Sequence, residues 1–183
     1  MLAYLFLANG FEEIEAIAPI DILRRANINI QTVSISNTKE VTGAHGIIIH
    51  ADLLFTETHF SINEMLILPG GMPGTKNLDA HQGLKKILSE QSEKGGKIAA
   101  ICAAPSILGK MGLLKGKEAI CYPGFEEALS GVVISRSLVV KSGNIITAKG
   151  AGVAVEFALK IVEELKGKSE SEKIASAICL PAK

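Results

Sequence analysis

The stretch Lys97-Ile-Ala-Ala-Ile-Cys-Ala-Ala-Pro-Ser-Ile-Leu-Gly109 leaves this chain few ways to fold. Ile98 to Ile101 are four successive apolar residues, the pattern of a strand buried on both faces. Pro105 to Met111 reads as a helix with proline in its first turn, where a missing N–H costs nothing. Between the two stands Cys102, with only Ala103 and Ala104 to make the corner. A strand that turns sharply into a helix through small residues lifts its corner side chain clear of the sheet, which is the mechanics of a nucleophile elbow. Free N–H groups at a helix start lower a thiol pKa and can hold an oxyanion, so a low thiol pKa is expected here. A buried, inert cysteine is the competing reading of this stretch alone.

Other runs predict the strands around it. Leu2–Leu7 is a continuous apolar strand closed by Asn9-Gly10. Glu12 to Ala26 carries apolar residues at helical spacing, Ile14, Ile17, Ala18, Ile22 and Leu23, with Pro19 expected to kink it. Ile28–Ile35 follows as a strand. This order, strand then helix then strand, predicts a parallel sheet. Gly46–His50 and Ala51–Leu54 suggest a small hairpin or an edge addition. Glu64–Pro69 is a further central strand, ending in the glycine-rich loop Gly70-Gly71-Met72-Pro73-Gly74. One helix is expected over Leu78–Lys94, a strand over Glu118–Tyr122, and a short helical segment over Gly124–Leu129. Leu138–Thr147 spells a hairpin turning at Gly143-Asn144. Helices are expected at Val153–Leu165 and, more weakly, at Ser169–Ile178. The expectation is one doubly wound α/β domain spanning 1–183.

Bulk numbers exclude several functions. Nineteen basic and nineteen acidic residues cancel, which leaves no basic surface for nucleic acid. Aromatic residues make up 4%, too few for base-stacking platforms. No apolar run reaches the roughly 18 residues that span a membrane, and the apolar start lacks a basic leader region. Cys102, Cys121 and Cys179 are odd in number and widely spaced, which fits neither a zinc site nor a disulfide framework. A reducing cytoplasm is expected, with no metal or organic cofactor; Cys121 and Cys179 read as structural.

In open parallel sheets ligands bind beyond the carboxyl ends of the strands. Three loops at that end carry chemistry. Asn9–Glu15 brings carboxylates, Pro69–Met72 brings backbone N–H groups bare of Cβ atoms at Gly70 and Gly71, and Cys102-Ala103 brings the thiol. Glu12 and Glu13 read as ordinary first-turn residues. Glu15 faces inward if the helix packs on its apolar stripe, where a protonated carboxyl can donate to a thiolate. The four histidines, His45, His50, His59 and His81, all lie far from Cys102 in sequence, so no Cys-His dyad is predicted. His81 is expected on the surface.

Ala8-Asn-Gly-Phe-Glu-Glu-Ile-Glu15, Leu66-Ile-Leu-Pro-Gly-Gly71 and Ala99-Ala-Ile-Cys-Ala-Ala-Pro105 together resemble the ThiJ/PfpI superfamily. More narrowly they resemble its branch of the parkinsonism-associated protein (DJ-one) and bacterial YajL-type proteins. Asp21–Ala26 and Lys149–Leu159 agree with it. The resemblance implies a flavodoxin-like three-layer sandwich with a mainly parallel sheet, and a homodimer. It implies Cys102 as the reactive cysteine, Glu15 as a protonated partner, and Gly71 and Ala103 as oxyanion donors. Gly70, Met72, Tyr122 and Ala151 fall around the pocket. The implied activities are glutathione-independent glyoxalase chemistry on methylglyoxal or glyoxal, and deglycation of their protein or nucleotide adducts. Redox sensing through Cys102 oxidation, or chaperone behaviour, is the alternative. Three positions depart from the pattern. Ala103 replaces the histidine of the protease-like branch, which argues against peptide hydrolysis. Tyr122 stands where the animal proteins have histidine, and Ala151 where the branch has proline.

Overall fold

A computed structural model of the protein describes residues 2–181. The apolar run at the start becomes β1 (Leu2–Leu7), buried on both faces because helices cover both sides of it. Ala3, Leu5 and Leu7 enter one apolar layer, while Tyr4, Phe6 and Ala8 enter the other. The chain continues through α1 (Glu13–Arg25), β2 (Asn29–Ser34), β3 (Glu40–Thr42), β4 (Ile48–His50) and β5 (Leu53–Leu54). β6 (Met65–Leu68), α2 (Gly74–Ala80), α3 (Gln82–Glu93), β7 (Lys97–Ile101) and α4 (Pro105–Lys110) follow. The last part comprises β8 (Glu118–Ala119), β9 (Val133–Ile134), β10 (Val139–Ser142), β11 (Ile145–Ala148), α5 (Ala154–Lys166) and α6 (Lys168–Ala177).

Among the described residues the central sheet runs β10-β11-β7-β6-β1-β2-β5. Every neighbouring pair in it is parallel except β10–β11, the hairpin with Ser142 opposite Ile145. α1 and α5 pack together over one face, and α3 and α4 lie on the other. This is the expected flavodoxin-like sandwich. From β1 the chain crosses outward to β2, and from β6 it crosses the opposite way to β7. Strand order therefore reverses between β1 and β6, and the crevice at their carboxyl ends is where such sheets bind ligands.

Several local expectations change. The helix expected over 78–94 is two, broken at His81, whose Nδ1 accepts the Leu84 N–H at 3.0 Å and caps α3. His81 is half-buried, its ring edge-on to Phe55 at 4.5 Å, and not a surface residue. The two possibilities left open near residue 50 both occur: β4 pairs antiparallel with β3, and β5 adds to the edge of β2. β8 stops at Ala119, because the next N–H groups are drawn to other partners, Ile120 to Thr147 Oγ1 (3.0 Å) and Tyr122 to the Cys102 carbonyl (2.7 Å). On α1, Ile14 and Ile17 stay 57% and 44% exposed, so the apolar spacing of this helix marks more than its buried face. No helix among the described residues is long and apolar enough to cross a membrane.

Candidate active site

β7 delivers Cys102 to the crevice in a conformation that only an elbow requires. Its φ is +64°, the left-handed region that residues with a Cβ seldom enter. The strain is held from both sides: the Cys102 N–H donates to the Ala148 carbonyl (2.9 Å), and its carbonyl accepts from Tyr122. Ala103 and Ala104 are buried directly behind it, so larger residues at the corner have no room.

Glu15 lies on the buried face of α1, 1% exposed. Its Oε2 accepts the Gly70 N–H at 2.9 Å, while Oε1 has no hydrogen-bond partner. Gly70 serves the carboxyl more than the ligand, and it must be glycine. A Cβ there would stand 2.7 Å from both the Cys102 Cβ and Glu15 Oε2. Gly71 is equally constrained, with φ at +87° and the Glu12 N–H where a Cβ would sit. The N–H groups of Gly71 and Ala103 both face the Cys102 sulfur and pull its pKa down. The structure therefore brings Cys102, Glu15, Gly70, Gly71 and Ala103 into one place. Met72 is 41% exposed in the same loop, and Tyr122 is 50% exposed beside the elbow.

The electrostatics differ from the simplest expectation. Burial, and then the Glu15 carboxylate, push the Cys102 thiol up to about 12 and not down. Burial likewise lifts Glu15 to about 7, against the pull of Cys102 and of the Gly70 and Ala151 N–H groups. The two groups are neighbours, so the first proton is lost near pH 7 and the second stays between them through the neutral range. When that proton sits on Glu15, the carboxyl that opposed the thiolate becomes its donor. Above about pH 7 the site thus carries one negative charge, resting on Glu15, which proton transfer from Cys102 moves to sulfur.

Two roles were invisible in the sequence. Ala151 reads there only as a change of pocket shape, yet its backbone N–H is one of the groups that pull the Glu15 pKa down, a donor that proline at this position lacks. Glu13 is not an ordinary first-turn residue. It is buried, and accepts the His45 N–H at 2.7 Å and pairs with His45 Nδ1 at 2.8 Å, latching the loop between β3 and β4 onto α1. Glu12 stands 3.4 Å from the same ring nitrogen. Both Glu13 oxygens are engaged, so this trio is an ion-pair latch. Nothing in the spacing of residues 13 and 45 announces it. Cys121 is buried, whereas Cys179 is exposed at the end of α6 and is not a core residue.

Comparison with known proteins places the arrangement in context. The model of the DJ-1/PfpI family matches residues 1–164. Protein DJ-1 homolog B of Arabidopsis thaliana is 36% identical over 95% of this chain, which spans only 40% of that relative's length. A Caenorhabditis elegans protein named glutathione-independent glyoxalase DJR-1.2 is 33% identical, over 92% of this chain and 90% of its own. The solved structure of oxidised Toxoplasma gondii DJ-1 superposes with a TM-score of 0.92 at 34% identity, covering 99% of both chains.

Proposed function

This chain belongs to the DJ-1/PfpI family, and we propose that it is a cofactor-free, cysteine-dependent enzyme acting on small 2-oxoaldehydes or their protein and nucleotide adducts. The observation that carries the reading is the buried Cys102–Glu15 pair under the N–H groups of Gly71 and Ala103. The relative named as a glyoxalase supports the same chemistry.

The mechanism follows from the movable charge. Glu15 carboxylate takes the thiol proton, and the Cys102 sulfur adds to the aldehyde carbon to give a hemithioacetal oxyanion. Gly71 and Ala103 N–H groups stabilise that oxygen as charge develops on it. Glu15 returns the thiol proton to that oxygen, then takes the proton of the same carbon and delivers it to the neighbouring carbon, while the hydroxyl proton passes from the first oxygen to the second. The aldehyde carbon is thereby oxidised and the ketone carbon reduced, leaving a thioester of a 2-hydroxy acid. Water cleaves the thioester and returns the thiol, so methylglyoxal plus water becomes lactate with no outside oxidant. For glycated substrates, water attack assisted by Glu15 releases the parent amine.

Lactate formation from methylglyoxal by freshly reduced protein, without added thiol, tests this. Many turnovers per protein chain are expected. A single stoichiometric loss of aldehyde, or none, sinks the catalytic reading and turns attention to Cys102 as an oxidation sensor. The free thiols fit a reducing compartment such as the cytoplasm.

We also propose that the chain works as a homodimer joined through α1. Ile14 and Ile17, with Ile47 from the loop before β4, flank a groove of about 780 Å³ floored by Ala18, Ile22, Val155 and Ile178. Exposed apolar side chains in one continuous patch mark an interaction surface. Ile17→Glu is expected to give the monomer mass by light scattering with the fold intact by circular dichroism. An unchanged mass would exclude this face.

A further inference from the structure

A second pocket, of about 490 Å³, adjoins the elbow, lined by Tyr122, Pro123, Leu138, Lys149, Ala151 and Val153 among others. It shares two elements with the site. The Tyr122 N–H holds the Cys102 carbonyl at 2.7 Å, and the Ala151 N–H is one of the groups that pull the Glu15 pKa down. The Tyr122 ring lies against the backbone of Gly150, where a Cβ would stand 3.2 Å away.

Lys149 is the charged member of its lining. Side chains alternate along β11, with Ile146 and Ala148 entering the layer under α1 and α5, and Thr147 facing Ile120 on the other side. Lys149 falls on the Thr147 side by the same alternation, and its N–H to the Leu138 carbonyl (2.9 Å) fixes it there. Other lysines have found acids: Lys97 and Lys141 both pair with Glu164, at 3.0 and 2.7 Å. Lys149 has no ion pair or side-chain hydrogen bond among the described residues, and none of the pocket's residues is acidic.

We propose that this pocket is the subsite for the tail of the substrate, and that the tail is short, aliphatic and ends in a carboxylate held by Lys149. Size argues for a tail, because pockets of roughly 300–1,000 Å³ hold ligands far larger than a three-carbon aldehyde. Charge argues for one carboxylate. A single ammonium among apolar walls balances one negative charge, and a second would be desolvated without a partner. The proposal rests on the 2-oxoaldehyde reading above. Its model substrate is 4,5-dioxopentanoate, which with water gives 2-hydroxypentanedioate by the same internal transfer.

The experiment compares kcat/KM for 4,5-dioxopentanoate and methylglyoxal in wild type, Lys149→Met and Lys149→Arg. Wild type is expected to favour the carboxylated aldehyde by about tenfold or more, the size of a charge-assisted hydrogen bond. Lys149→Met lowers that ratio about tenfold through KM, and Lys149→Arg keeps most of it. A ratio that Lys149→Met leaves unchanged, or no preference in wild type, overturns the subsite. Binding of 4-oxopentanoate, which lacks the aldehyde, is measured in parallel by NMR titration of the Cys102→Ser protein with and without Lys149→Met. At least fivefold weaker binding in the Lys149→Met form supports the subsite even where neither aldehyde turns over, a result that would count against the chemistry alone. Equal binding in both forms overturns it.

Discussion

Cys102→Ser is expected to reduce methylglyoxal turnover on the order of 10⁴-fold or more, and Glu15→Gln by about 10²- to 10⁴-fold. Serine puts a poorer nucleophile on the same strained corner, and no other thiol among the described residues stands under the Gly71 and Ala103 N–H groups. Glutamine keeps the size and one carbonyl oxygen for the Gly70 N–H, but it cannot take a proton. The two variants separate by pH. In wild type the reactive form of the pair appears as its first proton leaves, so alkylation of Cys102 by iodoacetamide should rise through about pH 7 and then level off. In Glu15→Gln that limb disappears, and reactivity continues to climb above pH 8 as an isolated buried thiol ionises. A wild-type profile with no inflection near 7 would separate Glu15 from the thiol. Equal activity in both pH profiles would remove it from the mechanism.

Glu15→Gln is also expected to stabilise the protein, and increasingly so as the pH rises. Burial lifts the folded-state pKa of Glu15 from 4.5 to about 7. A raised carboxyl leaves stability intact below the unfolded value and removes it as pH rises toward the folded one. Across that window the unfolded chain releases a proton that the folded chain keeps. The cost levels off above 7 at about 3 kcal/mol, from 1.36 kcal/mol per pKa unit. Glutamine does not titrate, so its advantage should be small at pH 4.5 and reach about 6–12 °C in Tm at pH 8. Paired melting curves at the two pH values measure it. A Tm difference that does not change with pH would mean that Glu15 is not held above its ordinary pKa. The site is thus kept reactive at the expense of stability.

Much of this was legible along the chain. Residues 98–101 read as a buried strand, and Cys102-Ala-Ala-Pro as its turn into a helix, and both are found. The positive φ at Cys102 is what that corner demands. Strand–helix alternation carried the parallel sheet, and the loops after β1, β6 and β7 were the ones to meet at its carboxyl edge. Periodicity is local physics, and it decides which residues stand at strand ends and which faces are apolar. Charge state is not local. The pKa of Glu15 is set by its burial in the folded chain, against the downward pull of Cys102, Gly70 and Ala151, groups that lie 87, 55 and 136 positions further along the chain. For the same reason the thiol moved up where the sequence alone suggested down. The His45–Glu13 latch, the cap at His81, the water left on Ile14 and Ile17, and the pocket in front of Lys149 were likewise decided in three dimensions. Each is a contact, or a missing one, between segments whose separation along the chain carries no signal.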